Sequence, residues 1–380
     1  MKKLLNSILK FIFCTGVFMS CKKAYNPPAS QINYKYLVID GVLANSPDSP
    51  SVIRLSRTVQ LTDTTTSSTP EAGAKVSVQG SSGEIFSFTE MPVGIYKSIP
   101  LTLNYNEQYR LRITTSGGGQ YESDYVPVKQ TPPIDSITWK QQNAVTISAN
   151  THDPANNAKY YRWDFVETWQ YTATFDRTIA ESNGMIYYVE STTQTYNCWS
   201  SDNSTDILLG STVALSQDVI SEAPIALIPQ NSEKIGIRYS ILVKQYALTE
   251  EAYQYFQVLK KNTENLGSIF DAQPTQLVGN IHSVTNPSEI VIGFITASSV
   301  QQQRIFISNN QLNNWNWVYN GEDCRLISIA QNPNNFLIYN YPDTSYAPYY
   351  FISPSNIQLA KKVCVDCSVR GGTTNKPPYW

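Results

Sequence analysis

The sequence has very few of the residues that carry most metal and acid–base chemistry. It contains only two histidines, His152 and His282, in 380 residues. Two histidines are too few for a multi-histidine metal site, and a Ser-His-Asp triad would have to use one of them. A G-x-S-x-G elbow, a phosphate-binding glycine loop and an HExxH helix are also missing. These absences predict a protein without a catalytic centre, a metal or a cofactor.

Charged residues are scarce as well. They make up 15% of the sequence, the formal net charge is −2, and no run of more than two basic residues occurs. Nucleic-acid binding needs a clustered Lys/Arg footprint, so we expect none here. What the sequence does contain is 25 tyrosines and many Thr, Ser, Asn and Gln residues. That composition is typical of exported β-proteins.

The first residues predict export and a lipid anchor. Two lysines precede an apolar segment over 4–19, and Ser20 stands directly before Cys21. This pattern is typical of a lipoprotein signal over 1–20, with Cys21 as the acylated residue of the mature chain. The apolar segment is short and interrupted, which disfavours a membrane-spanning helix. A plain secretory peptide or a cytosolic chain is the alternative, and residues 21–33 read as a tether.

The cysteines agree with an oxidising compartment. Cys14 leaves with the signal and Cys21 is acylated, so four cysteines are left for pairing: Cys198, Cys324, Cys364 and Cys367. An even number after export predicts two disulfides, with three possible connectivities. We favour Cys198 with Cys324 and Cys364 with Cys367, although the sequence leaves all three open. Zinc binding or a redox-active CxxC are the alternatives, but a Gly/Pro-rich segment follows that cannot open a helix.

Turn clusters and short apolar segments divide the chain. Seven strand-like segments over 34–128 indicate an Ig-like or transthyretin-like β-sandwich. Residues 129–135 contain two adjacent prolines, which cannot donate ladder hydrogen bonds, and predict a linker. Residues 136–380 predict a larger β-rich domain. It contains one amphipathic helix near 249–262, for which Thr249 is the expected N-cap.

An aromatic strand follows the predicted linker. Its large side chains recur at odd positions, which places them on one strand face: Tyr161, Trp163, Phe165 and Trp169. We interpret that face as sandwich core, with an aromatic binding strip as the alternative. Asp164 and Glu167 lie in the same segment and invite comparison with the two carboxylates of a glycosidase. Their odd spacing predicts opposite faces of the strand, which argues against a catalytic pair.

Aromatic residues also concentrate on segments rich in Asn, Ser and Pro. Such segments make adaptable binding surfaces, and ordinary core with turns is the alternative. The binding candidates are Trp315, Trp317, Tyr319, Tyr341, Tyr346 and Tyr349. At the C-terminus, Pro377 and Pro378 predict an extended tail that ends in Tyr379 and Trp380. We expect that tail to pack on the fold or, alternatively, to dock a partner protein.

Several segments resemble an uncharacterised family of Bacteroidota outer-membrane lipoproteins that is often encoded beside TonB-dependent receptors. The matching segments are residues 36–43 (YLVIDGVL), 72–84 (AGAKVSVQGSSGE), 94–98 (GIYKS), 197–200 (NCWS), 249–289 (beginning TEEAYQYF) and 364–380 (CVDCSVRGGTTNKPPYW). The resemblance implies a partner rather than a reaction, and it assigns no catalytic residue.

Together these observations predict a function. We expect a non-catalytic outer-membrane lipoprotein that captures ligand as an accessory of a TonB-dependent receptor, anchored to the membrane through its lipid. Which face of the membrane carries it is left open. An exported glycan or peptide hydrolase is one alternative, and a structural or adhesive surface protein is another.

Overall fold

The computed structural model describes residues 35–59, 68–183, 185–190, 194–264, 277–317, 324–330 and 344–380. The predicted signal, Cys21 and the tether lie outside these residues. The first ten strands are β1 (Leu37–Asn45), β2 (Pro50–Arg57), β3 (Thr69–Pro70), β4 (Lys75–Gly80), β5 (Ile85–Ser87), β6 (Thr89–Glu90), β7 (Ile95–Pro100), β8 (Gln108–Thr114), β9 (Gln120–Ser123) and β10 (Val126–Lys129).

Strands also dominate the rest of the chain. The next nine strands are β11 (Ile134–Gln141), β12 (Ala144–His152), β13 (Tyr160–Thr172), β14 (Ile179–Ser182), β15 (Met185–Tyr188), β16 (Asn197–Asn203), β17 (Leu208–Ser211), β18 (Val219–Pro229) and β19 (Arg238–Ala247). They are followed by helix α1 (Glu250–Glu264), β20 (Ile281–Ser283), β21 (Val291–Gly293), β22 (Thr296–Ser308), β23 (Ile327–Ala330), β24 (Tyr346–Ser353), β25 (Asn356–Lys361) and the one-turn helix α2 (Lys362–Val365). The prediction of a mainly β protein with one amphipathic helix is confirmed.

Strands β1 to β10 build a two-layer sandwich. In one layer β1, β2 and β7 pair antiparallel, and in the other β8 pairs with β4 and β9. Alternation along each strand sends one set of side chains inward; in β4, for example, Val76 and Val78 are buried. Because alternate residues of a strand face opposite sides, the two layers share an apolar core that includes Leu37, Leu55 and Leu111.

Strands from much later in the chain complete this sandwich. Strand β21 and the first residues of β22 run parallel to β1, and β20 pairs antiparallel with β9. Ile281, Val291 and Ile295 lie in the same core as the N-terminal strands. The sandwich therefore extends beyond the segment 34–128 that the sequence indicates.

A second sandwich follows. Strands β11, β12 and β18 form one layer, while β13, β19, β22, β16 and β17 form the other. Tyr161 and Trp163 of β13 are fully buried between the layers, and their rings stack at 5.8 Å. The odd-numbered aromatic face of this strand is thus sandwich core, as the residue spacing predicts.

The two sandwiches are joined by buried hydrogen bonds at the predicted linker. The Thr131 N–H donates to Ser299 Oγ at 2.9 Å, and the Ala247 N–H donates to Thr131 Oγ1 at 3.0 Å. The buried Gln245 amide donates to the carbonyl of Pro132 at 2.9 Å. Residues 129–135 are therefore held against both sandwiches, and they do not behave as a loose spacer.

Helix α1 packs across this junction. Thr249 caps the helix, because its hydroxyl accepts a hydrogen bond from the Ala252 N–H at 3.2 Å. Tyr255 lies 5.2 Å from Phe294 of the first sandwich, and Tyr253 lies 4.9 Å from Tyr160 of the second. The predicted helix and its N-cap are both confirmed, and its apolar stripe binds the two sandwiches together.

A small third unit contains the C-terminal strands. Strand β25 pairs with β23 and β24, and the hairpin of β14 and β15 packs on them through a core of Ile179, Ile186, Ile357 and Leu359. No helix among the described residues is long and apolar enough to cross a membrane.

The described residues contain two disulfides, and the pairing that we favour from the sequence is wrong. Cys198 bonds Cys367, and Cys324 bonds Cys364. The backbones of the two CxxC cysteines bond to different segments: the Cys364 carbonyl accepts from the Phe175 N–H, whereas the Cys367 N–H donates to the Thr195 carbonyl. The extended residue Asp366 separates α2 from the following 3₁₀ turn (Cys367–Arg370), so the two cysteines belong to different local elements. Because all four cysteines are bonded in disulfides, they provide no free thiol for the zinc or redox alternatives.

Peptide mapping without reduction will recover the Cys198–Cys367 and Cys324–Cys364 peptides. The Cys198→Ser/Cys367→Ser variant should lose more stability than Cys324→Ser/Cys364→Ser, because its disulfide spans 169 residues rather than 40. Loop-closure entropy puts the difference at about 1 kcal/mol, measurable by denaturant unfolding. Recovery of a Cys364–Cys367 peptide would contradict the assigned pairing.

Candidate functional site

A cleft lies between the two sandwiches. Its floor is the outer face of β13 and β19, and its opposite wall is formed by β1 and β2. Helix α1 closes one side through Phe256 and Leu259, and residues 203–207 form another edge. The cavity has a volume of about 520 Å³, within the range of small-molecule sites, and such sites occur preferentially between domains.

Strand alternation places charged residues on the cleft floor. Tyr161 and Trp163 point into the core, so Arg162 and Asp164 point to the opposite face. The register of β13 with β19 sets Asp164 directly across from Lys244 and Arg162 across from Tyr246. Four polar side chains therefore meet on neighbouring strands, where opposed residues are close enough to interact.

The two cations of the floor bind no acceptor among the described residues. The Arg162 guanidinium lies over the Phe256 ring, 4.6 Å from its centroid. Within the part of the chain that the structure describes, the side chains of Arg162 and Lys244 make no hydrogen bond and no ion pair. Both side chains are partly exposed. Their N–H groups can therefore donate to the oxygens of a bound ligand.

Asp164 lies near both cations and forms no close ion pair with any described residue. Burial raises the pKa of its carboxyl above the ordinary value, while the Arg162 and Lys244 charges and a hydrogen bond from Tyr246 offset part of the rise. The Tyr246 hydroxyl donates to Asp164 Oδ1 at 3.4 Å, and burial raises the pKa of Tyr246, so the phenol stays protonated. A carboxyl with a raised pKa in an interdomain cleft marks a candidate site.

The opposite wall and the edge complete the cleft. Asp40 and Arg54 form an ion pair at 3.5 Å, with both side chains more than half exposed. At the edge, Ser204 fixes the loop to β13, because its hydroxyl accepts from the Phe165 N–H at 3.0 Å and its own N–H donates to the Phe165 carbonyl at 2.9 Å. Exposed Asp206 follows it. Residues 203–207 thus serve as one rim of the cavity.

The geometry does not assemble a carboxylate pair on β13. Asp164 faces the cleft, whereas Glu167 is 6% exposed and points to the other face. There it binds the Lys234 ammonium and accepts from the Tyr239 hydroxyl at 3.0 Å. The predicted opposite faces are confirmed, and Glu167 is a satisfied structural carboxylate. Among the described residues, no cluster of three or more His, Cys, Asp or Glu side chains is arranged to hold a metal ion.

A second cavity offers less for recognition. It has a volume of about 410 Å³ and lies beside β10 and the start of α1. Its buried amide, Asn280, is already satisfied by two hydrogen bonds with the Ile295 backbone, at 2.8 and 2.9 Å. The Thr296 hydroxyl is the buried group there that lacks a partner among the described residues. Asp124, Lys129 and Glu251 also line this cavity, but it is smaller than the cleft between the sandwiches and its lining carries more acidic than basic groups. The cleft, with the two cations described above, is therefore the better candidate.

The aromatic binding candidates do not lie in the cleft. Trp315 is 5% exposed and its indole N–H donates to the Ser232 carbonyl at 3.1 Å, so it is a core side chain. Trp317 is partly buried near Arg370. Tyr346 packs in the third unit, and Tyr349 lies 5.2 Å from Phe175. Tyr319 and Tyr341 lie outside the described residues. The structure therefore does not bring the four described candidates to one surface.

The C-terminal tail packs on the chain itself. The Tyr379 ring lies 3.6 Å from the Arg304 guanidinium, and its hydroxyl is 2.9 Å from Thr168 Oγ1. The Trp380 ring meets Phe306 edge to face at 5.7 Å and Trp199 at 6.4 Å. These contacts cover the part of the outer face of β13 and β22 next to the cleft. The first of the two expectations for this tail, packing on the fold, agrees with the structure.

Comparison with known proteins identifies the family. The model of a domain of unknown function, DUF4249, matches residues 22–304. The chain belongs to the DUF4249 family. A search of curated proteins finds no match. The DUF4249 match covers the whole first sandwich, the cleft floor on β13 and β19, and helix α1, and it ends within β22. The four polar residues of the floor, Arg162, Asp164, Lys244 and Tyr246, therefore lie inside the DUF4249 domain.

Asp164 makes the folding stability of the protein depend on pH. Its pKa is raised in the folded state, so the folded protein binds this proton more tightly than the unfolded chain does. Stability contributed by this group therefore falls as pH rises through the raised pKa. Asp164→Asn should raise the melting temperature at pH 7 relative to the wild type and lose that advantage near pH 4.

Thermal unfolding across this pH range checks the expectation. Asp124→Asn, at an aspartate that is 69% exposed, controls for the general loss of one negative charge. A melting temperature of Asp164→Asn that is lower than the wild type at pH 7 would contradict it.

The tail contacts predict a structural role for the last residues. Deletion of residues 376–380 should lower the melting temperature, and Trp380→Ala alone should cost roughly 1–2 kcal/mol of unfolding free energy, because Trp380 is only partly buried. Tyr379→Phe, which keeps the ring on Arg304, should have a smaller effect. Unchanged stability after the deletion would instead favour the docking alternative.

Proposed function

We propose that the protein is a non-catalytic ligand-capture lipoprotein, which holds a small polar ligand in the cleft between its two sandwiches. One observation carries the proposal: on the floor of an interdomain cavity of about 520 Å³, Arg162 and Lys244 present donors that bind no acceptor among the described residues. Binding sites of this kind combine a preformed cavity with a few well-placed polar groups.

Rigid walls support capture without chemistry. The floor belongs to a sheet whose other face is packed with fully buried side chains such as Trp163 and Tyr239. The opposite wall belongs to the first sandwich, and the Thr131 hydrogen bonds hold the two together. A preformed site loses little free energy to ordering when its ligand binds. The described cleft residues offer charges and hydroxyls for recognition.

The sequence supports the cellular setting of this proposal. The signal pattern over 1–20 and the cysteine at 21 suggest a lipid anchor in the outer membrane, and the disulfides suit an oxidising compartment. The partner we propose is a TonB-dependent receptor, to which the protein hands its ligand during import. An adhesive spacer would use the same anchor but would not need the cleft.

A cleft-blocking variant tests the function. Val166 lines the cavity floor, and Val166→Trp should fill it and reduce ligand binding at least tenfold. The screen uses neutral, anionic and cationic sugars and short peptides, with isothermal titration calorimetry as the readout. Val219→Trp, at a strand position that is 44% exposed and outside the cleft, is the matched control.

The partner is tested separately. The acylated protein is recovered from gently solubilised outer membranes, and a β-barrel receptor should accompany it in stoichiometric amount.

Two outcomes would contradict the proposed function. Ligand binding that Val166→Trp leaves unchanged would refute the cleft as the site. Turnover of a polysaccharide or peptide substrate by the isolated protein would refute the non-catalytic function.

A further inference from the structure

The floor of the cleft has the composition of an anion site. Arg162 and Lys244 are two positive charges on adjacent strands, and Asp164 between them is the one negative charge on the floor. On the wall, Asp40 and Arg54 neutralise each other through their ion pair, and Asp206 is exposed at the rim. The floor therefore carries one excess positive charge when Asp164 is ionised.

Arg162 is available to an anion. Its guanidinium lies over the Phe256 ring, and no described residue accepts a hydrogen bond from it. A guanidinium held by an aromatic face presents its N–H groups as a rigid fork, which matches the two oxygens of a carboxylate. Lys244, on the neighbouring strand, offers a further ammonium for the same group.

The charge count selects between anions. A monoanion brings the floor to neutrality, whereas a phosphate dianion would leave an excess negative charge beside Asp164. Asp164 and Tyr246 remain next to the anion position and suit a hydroxyl or ammonium group of the same ligand. We propose that the cleft binds a carboxylate-bearing ligand with a hydrogen-bond donor close to its carboxylate, through Arg162 and Lys244. This inference rests on the proposed capture function.

Two natural sources share that chemistry, an acidic sugar and a peptide C-terminus. The probes are D-glucuronate with D-glucose as its neutral counterpart, L-alanyl-L-alanine with its C-terminal amide, and glucose 6-phosphate as a dianion. Binding to the full-length protein is measured by titration calorimetry at pH 7. We expect one carboxylate probe to bind at least tenfold more tightly than its counterpart without the carboxylate, which corresponds to about 1.4 kcal/mol.

Variants assign the binding to the two cations. Arg162→Gln should weaken binding of the carboxylate probe at least tenfold, and Lys244→Gln should weaken it at least threefold. Arg162→Lys, which keeps the charge but not the fork, should fall between the wild type and Arg162→Gln. Arg112→Gln, at an exposed arginine paired with Glu122 at 2.8 Å, is the matched control and should bind as the wild type does. Melting temperatures verify that each variant is folded.

The outcomes separate this inference from the proposed function. Preference for glucuronate or for dialanine supports the carboxylate site and identifies its source. If probes with and without a carboxylate bind equally well, and Val166→Trp abolishes this binding, the inference is overturned while capture in the cleft stands. Preference for glucose 6-phosphate overturns the monoanion assignment. Absence of binding by every probe and every compound of the wider screen overturns both.

Discussion

The arrangement of the whole molecule depends on a small buried hydrogen-bond network at Thr131. This residue is 2% exposed, and it bonds to Ser299 of one sandwich and to Ala247 of the other. Gln245 adds bonds to Pro132 and Thr151 from the second core. Buried polar groups are costly unless satisfied, so this network permits one arrangement of the sandwiches. The cleft exists because that arrangement leaves β1 and β2 facing the outer surface of β13.

Much of the fold could be predicted from local patterns, because strand alternation and helix capping are local properties. The aromatic face of β13 and the cap at Thr249 follow from residue spacing alone. The pairing of β1 with β21 and β22 does not, since it joins segments about 250 residues apart with no sequence signal that relates them. The disulfides follow the same rule: their number could be counted, but their connectivity depends on which strands the cysteines face.

The candidate site could be predicted only in part. The odd spacing of Asp164 and Glu167 predicts opposite faces of β13, and the face that carries Asp164 is the cleft floor. The combination of Arg162 with Lys244 could not be predicted, because it arises from the register of β13 with β19. Aromatic-rich segments drew attention to Trp315, but its indole is used to fill the core. Aromatic content is an ambiguous signal, since the same rings serve recognition and packing.

The continuous strand β22 has a consequence for how the chain is made. Its first residues pair with β1, and its remaining residues pair with β19. During synthesis, β1 emerges from the ribosome long before this partner does, and its edge stays open until residue 299 follows. An unpaired edge invites association with other chains. The first sandwich therefore cannot be completed in the order in which its residues are synthesised. If the chain were exported unfolded, both partner strands would reach the same compartment before either has to pair.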